Sequence, residues 1–186
     1  MSTIYKFFYT ALALSMTLFV YAVNNDYIIK EILDDCGCFE TATWVNIYIS
    51  PFWSYVVYLL LMALGAFALS FVSRYLPSIS IEEGNVKTIE PAGEGMMLTY
   101  FGLFFFALSV HSVHALIISF VLLLACILFS NVYMYNPIFS LIFYRFYYIT
   151  LPSGKKCLLI SREKFESGDK VKFDKVYKLN EFTYID

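Results

Sequence analysis

Two closely spaced pairs of side chains are the first candidates for chemistry. Cys36 and Cys38 flank a single glycine and follow the Asp34–Asp35 pair. Thiolates and carboxylates together can hold a metal ion, and thiols in an oxidising compartment can form disulfides. Zinc sites draw ligands from two separated pairs, and the other two cysteines of the chain lie far away in sequence. We expect no metal here; a strained Cys36–Cys38 ring or a bridge to a neighbouring subunit both stay open.

The only two histidines, His111 and His114, form the second pair. They lie three residues apart on a predicted turn or helix end, whereas a bis-histidine haem needs ligands on different helices. A metal or pH-sensing role is the alternative to a plain polar turn. Elsewhere the sequence has no glycine-rich phosphate loop and no histidine in its C-terminal part that could activate Cys157 as a nucleophile. We therefore expect no cofactor and no enzymatic activity.

Four apolar stretches, residues 4–23, 51–73, 95–110 and 115–135, must position these side chains. The chain is 60% hydrophobic and 15% charged, which is far more apolar than a typical soluble domain. Each stretch is long enough, or nearly so, to cross a hydrocarbon layer of ~30 Å. The sequence predicts an α-helical integral membrane protein with four transmembrane helices and a small cytoplasmic β-rich subdomain. A cleaved signal peptide is the alternative interpretation of the first stretch.

The basic residues predict the orientation of these spans. Twelve of the 13 Lys and Arg residues fall at one set of helix ends or in the C-terminal tail, and only Lys30 falls on the other side. Positively charged loops stay in the cytoplasm. We expect cytoplasmic N and C termini, an outer loop over 24–50 that includes Cys36, Cys38 and Trp44, and an inner loop over 74–94.

Small side chains recur at helical spacing in two of the spans. Ala66 and Ser70 lie on one face of the second span, and Ser119 and Cys126 on one face of the fourth. Inside lipid such residues allow close helix packing. The alternative is the wall of an aqueous path, but pores and proton relays usually carry an ionisable residue at membrane depth, and these spans have none. We expect helix packing.

The chain divides into a transmembrane domain over 1–135 and a cytoplasmic tail over 136–186. In the tail, 145–151 and 156–161 predict a β-hairpin around a Pro-Ser-Gly turn, and 176–185 predicts another strand. Two short strands about a turn near Glu83 and Gly84 in the inner loop need this tail as a partner. The tail's net charge of about +3 is weak as a nucleic-acid footprint. It suits docking of a cytoplasmic protein, with four residues as candidates: Arg145, Lys155, Lys156 and Arg162.

This layout, together with the segments Arg145-Phe-Tyr-Tyr-Ile-Thr and Lys155-Lys-Cys-Leu-Leu-Ile-Ser-Arg162, resembles KwaA, the membrane component of the bacterial Kiwa anti-phage system. The likeness covers nearly the whole chain. It implies a multi-pass protein of the bacterial inner membrane that forms a homo-oligomer, a tetramer, in the lipid bilayer. It also implies that this protein detects phage attack at the envelope and associates with KwaB, a soluble DNA-binding protein.

The resulting hypothesis is a non-enzymatic sensor and scaffold. Its outer loop responds to disturbance of the envelope, and its four helices pass a rearrangement to the tail. The alternatives are a small oligomeric channel lined by the Ser and Cys stripes and an assembly subunit of a larger membrane complex.

Overall fold

A computed structural model describes residues 2–29, 51–81, 86–130, 133, 135–165 and 173–186. The predicted outer-loop residues Cys36, Cys38 and Trp44 lie outside the described residues. So does the predicted turn at Glu83 and Gly84.

Each of the four apolar stretches contains a helix. These are α1 (Ser2–Asn24), α2 (Pro51–Val72), α3 (Gly93–Ser109) and α4 (Val113–Phe129), and a short α5 (Pro137–Leu141) follows. Two segments, Thr3–Asn24 and Phe52–Tyr75, are long and apolar enough to cross a membrane. The two 17-residue helices α3 and α4 are apolar but shorter, about 25 Å each. The fourth helix ends at Phe129 and not at 135 as predicted.

The first helix lies at the centre of the helical part. Helix α1 contacts α2, α3, α4 and α5. Its buried side chains recur every three or four residues, so that they line one continuous face, and include Tyr5, Tyr9, Ala13, Leu14 and Val20. The other helices of the described chain therefore pack around α1.

The other three long helices turn large apolar side chains outward. A lone exposed apolar residue is unremarkable, but a helix that is apolar all round needs apolar surroundings. The exposed residues include Leu60, Leu61, Leu64, Phe67 and Phe71 of α2, Phe101 and Phe105 of α3, and Ile117, Ile118, Val121 and Leu122 of α4.

A six-stranded sheet forms the second part of the fold. Its strands are β1 (Ser78–Ile81), β2 (Thr88–Pro91), β3 (Arg145–Thr150), β4 (Lys156–Ser161), β5 (Phe173–Lys178) and β6 (Thr183–Ile185). They lie in the order β1-β5-β6-β4-β3-β2, antiparallel except for the β4–β6 pair. The predicted β-hairpin is confirmed as β3 and β4. The single strand predicted over 176–185 is wrong, because a turn in which Asn180 Oδ1 accepts from Phe182 N–H separates β5 from β6.

The two inner-loop strands do not pair with each other. They lie at opposite edges of the sheet, where β1 pairs with β5 and β2 pairs with β3. Pairing with the tail gives each strand an apolar neighbour, Val176 opposite Ile79 and Ile149 opposite Ile89. The sheet therefore combines residues of the inner loop with residues of the tail.

The sheet is apolar on both faces. One face, with Phe146, Leu158 and Ile160, packs in a common core with Tyr9 of α1 and Phe139 of α5. The opposite face has its own core of alternate strand residues, which includes Ile89, Tyr147, Ile149, Cys157, Leu159, Phe173 and Val176. The sheet is thus attached by its first face to one end of the helices.

Candidate functional site at the helix–sheet junction

Two polar side chains in the first turns of α1 join it to neighbouring helices. Tyr5 donates from its hydroxyl to the Leu69 carbonyl of α2 over 3.0 Å. Lys6 donates from Nζ to the Leu128 carbonyl of α4 over 2.7 Å. Carbonyls in the last turn of a helix lack an intrahelical donor and carry partial negative charge, so an ammonium group there both satisfies and stabilises them. The N-terminal end of α1 is thereby tied to the C-terminal ends of α2 and α4.

Asn136 links α1 to the segment that enters the sheet. Its side chain is fully buried, and Nδ2 donates to the Tyr9 carbonyl over 3.2 Å. Its Oδ1 accepts from Ile138 N–H over 3.0 Å, which caps α5 with Pro137 at the first helical position. One amide therefore fixes the start of α5 and its distance from α1.

The residues around Tyr144 connect α2 with the sheet. The hydroxyls of Ser70 and Tyr144 are hydrogen bonded, and Ser73 Oγ donates to the Ser70 carbonyl over 2.7 Å. The Arg162 guanidinium lies 4.7 Å from the Tyr144 ring centroid and 5.8 Å from that of Phe67. These cation–π contacts place a charge from the end of β4 against the apolar surface of α2.

A tyrosine pair touches the start of α3. The hydroxyls of Tyr135 and Tyr148 are hydrogen bonded to each other. A methyl group added at Gly95 would lie 2.7 Å from the Tyr148 hydroxyl and 2.8 Å from the Tyr135 hydroxyl. Glycine is thus the residue that lets the first turn of α3 approach the pair. All four long helices therefore meet the sheet or its entry segment at one end of the molecule.

The four basic residues predicted for partner docking occupy two ends of the β3–β4 hairpin. Arg145 pairs in register with Ser161, next to Arg162, and Lys156 pairs with Thr150 at the other end. Six-residue strands separate these ends by about 17 Å. Lys156 forms an ion pair of 3.8 Å with Glu90, both about half exposed, and Lys155 Nζ lies 4.6 Å from the Phe182 ring centroid.

The predicted packing stripes differ in their surroundings. Ala66 is fully buried against α1, and Ser70 is half buried at the Tyr144 contact. Ser119 is half buried, but Cys126 is exposed. The small side chains on α4 are therefore only partly covered by other parts of the same chain.

The described part of the chain contains no group of three or more His, Cys, Asp or Glu side chains that could hold a metal ion. His111 and His114 are both exposed at the α3–α4 turn. Burial raises the pKa of the Cys157 thiol, against the opposing effect of Lys155 and Lys178, so the nucleophilic thiolate is disfavoured.

Sequence reasoning missed the long-range contacts of this site. Asn136 followed by Pro137 is a helix-start signal, but its bond to Tyr9 joins residues 127 positions apart. Tyr144 lies in a segment rich in tyrosine, and nothing local distinguishes it from its neighbours. Contacts over such distances depend on the assembled fold.

One of three comparisons with known proteins identifies the family of this chain. Neither a search of characterised proteins nor a search of solved structures found a match. The family model of the anti-phage protein KwaA, in contrast, matches residues 5–185, which include most of α1, the other three long helices and all six strands. The chain therefore belongs to the KwaA family of anti-phage proteins and has a role in anti-phage defence.

Proposed function

We propose that this protein is a non-enzymatic sensor and scaffold of the bacterial inner membrane, which recruits a soluble DNA-binding partner of the KwaB kind through its sheet. One observation carries the proposal. The helices are connected to a single sheet at one end. The segment between α2 and α3 contributes β1 and β2 to this sheet, and α5 connects α4 to β3. A displacement of any helix therefore acts on the surface of the sheet.

The exposed apolar helix surfaces support a membrane location. Soluble monomers rarely expose a contiguous apolar patch larger than a few hundred Å². Here α2, α3 and α4 all expose leucine, isoleucine or phenylalanine along their length. Lipid, or further copies of the chain in a tetramer, would cover these surfaces.

The charges support cytoplasmic termini. No Lys or Arg lies within α2, α3 or α4. The described basic residues instead lie in the first turns of α1, beside the sheet or in it. Because positive residues favour the cytoplasmic side, the sheet would face the cytoplasm and the α3–α4 turn the outside.

Labelling of single cysteines in intact cells tests this orientation. Cys157 is fully buried and therefore a poor reporter. Ser153→Cys in the β3–β4 turn and His111→Cys in the α3–α4 turn, in a chain without its native cysteines, are matched exposed positions. We expect a membrane-impermeant maleimide to label His111→Cys only. Labelling of Ser153→Cys only would show the opposite orientation of the chain in the membrane.

Partner recruitment is tested by purification of the tagged protein from native membranes. We expect a soluble DNA-binding protein to co-purify, and Lys155→Glu/Lys156→Glu to weaken its recovery most at low salt. The control Lys175→Glu/Lys178→Glu makes the same change of charge on β5. Equal recovery with both variants would exclude docking at the hairpin. An ion current in reconstituted membranes, with no partner recovered, would favour the channel.

A further inference from the structure

A cavity of about 430 Å³ opens beside the start of β3, and its lining includes Tyr144, one of the residues described above that join the helices to the sheet. The first turn of α3, α5, the first residues of β3 and the segment after β4 form its walls. Met96 and Phe146 supply apolar wall, and Ser140, Arg145 and Lys164 supply polar groups. It is thus a partly apolar cavity with cations at its margin.

The charge of the lining is of one sign. Arg145 and Lys164 are both exposed, and the described residues that line the cavity include no acid. Neither base forms an ion pair with another residue of the described ranges, where the single pair is Lys156 with Glu90. A guanidinium with parallel N–H donors and a nearby ammonium together suit a phosphate group.

Two exposed apolar residues are close in sequence to residues that line the cavity. Leu141, next to Ser140, is 57% exposed, and Phe143, two residues before Arg145, is 84% exposed. Phe143 has φ +68°, a left-handed conformation that is uncommon for a bulky residue and ends the turn after α5. Exposed apolar and cationic residues thus follow one another along the chain from the end of α5.

We propose that this cavity binds the phosphate of an anionic glycerophospholipid, with Leu141 and Phe143 entering the acyl region. An amphiphilic ligand explains both halves of the surface, whereas a free phosphate explains only the cations. The location fits, because the cavity lies where α3 begins, at the cytoplasmic boundary of the bilayer in the proposed topology. The inference rests on that proposed membrane location.

The test measures lipid retained by the full-length protein. The protein is extracted in mild detergent, exchanged into mixed phosphatidylglycerol and phosphatidylcholine, and analysed by native mass spectrometry for the lipids that stay bound. We expect selective retention of phosphatidylglycerol. Arg145→Gln/Lys164→Gln should weaken it by about fivefold for each charge removed. The control Lys175→Gln/Lys178→Gln removes two charges on β5, which β6 and β4 separate from β3, and should retain the wild-type amount.

Lys164→Gln alone guards against a folding defect, because Lys164 lies outside the strands. It should lose about fivefold at unchanged thermal stability. Equal phosphatidylglycerol retention by wild type and both cavity variants would overturn the proposal. Competition by glycerol phosphate at lipid-equivalent concentration would assign the cavity to a soluble phosphate instead. Release of the wild-type protein from membranes by alkaline carbonate would refute the membrane location itself, a result independent of the variants.

Discussion

At the scale of single residues, the junction depends on polar groups that are buried and satisfied. Asn136 serves both α1 and α5, and Tyr144 serves both α2 and Arg162. A buried polar group that loses its partner costs more free energy than the hydrogen bond itself contributes. Substitutions here should therefore have larger effects than substitutions of equally polar residues at exposed positions.

Asn136→Ala should lower the free energy of unfolding by about 1–2 kcal/mol, because the α5 cap and the bond to Tyr9 are both lost. Equilibrium unfolding in detergent micelles measures this. Asn25→Ala is the control, since Asn25 bonds to the Tyr21 carbonyl at an exposed helix end. Equal stability of the two variants would show that the Asn136 link is unimportant.

Cys157 should resist alkylation in the folded protein at neutral pH. Burial raises the pKa of its thiol and also blocks the reagent. Because the folded pKa lies above the unfolded one, this thiol favours folding below its ordinary pKa, and that contribution declines at more alkaline pH. Maleimide labelling before and after addition of SDS measures its reactivity. A rate in the native state that matches Ser153→Cys would disprove burial.

At the scale of elements, local patterns predicted some features and not others. The β3–β4 hairpin was predictable because two strand-forming runs flank a Pro-Ser-Gly turn. The opposite positions of β1 and β2 were not, because strand partners are chosen by contacts with residues far along the chain. The end of α4 at Phe129, before the predicted residue 135, reflects a chain turn that hydropathy alone does not locate.

Helix α3 offers a matched pair of glycines for a test of the tyrosine contact. Gly95→Ala should destabilise the protein by about 1–3 kcal/mol, because the new methyl group would collide with the Tyr135 and Tyr148 hydroxyls. Gly102→Ala should be neutral or stabilising by up to about 1 kcal/mol, since nothing lies within 4 Å of the added carbon. The melting temperatures of both variants, measured in the same detergent, test this difference. Indistinguishable melting temperatures would argue against the close approach.

At the scale of the whole molecule, the sequence predicted the classes of structure but not how they join. Apolar helices followed by a β-rich tail could be inferred from composition and period. The junction could not, because Lys6 with Leu128 and Tyr5 with Leu69 join residues that no local pattern relates. The candidate site was therefore predicted only in part. Ala66 and Ser70 do lie at the junction, and the structure distributes the predicted tail residues over two ends of one hairpin.

Deletion of residues 183–186 should disrupt the sheet as a whole. Strand β6 lies between β5 and β4, so its loss separates β1 and β5 from the other three strands. We expect the C-terminal part of the deleted chain to be digested rapidly by a protease. Gel electrophoresis of membrane fractions after protease treatment measures this. A short polar extension after Asp186, which is exposed, is the control and should be tolerated. A deleted chain as resistant as the control would show that β6 is dispensable.

The position of β6 also determines when the sheet can be completed during translation. Strand β1 emerges about 90 residues before its partner β5, and β6, which completes the sheet, is the last of the six strands to be translated. At about 5–20 residues per second, β1 remains without its partner for roughly 5–20 s on the ribosome. The helices can therefore form before the sheet exists, and a nascent chain cannot display the finished sheet. Under the proposed function, this order of synthesis would prevent an incomplete chain from recruiting the partner.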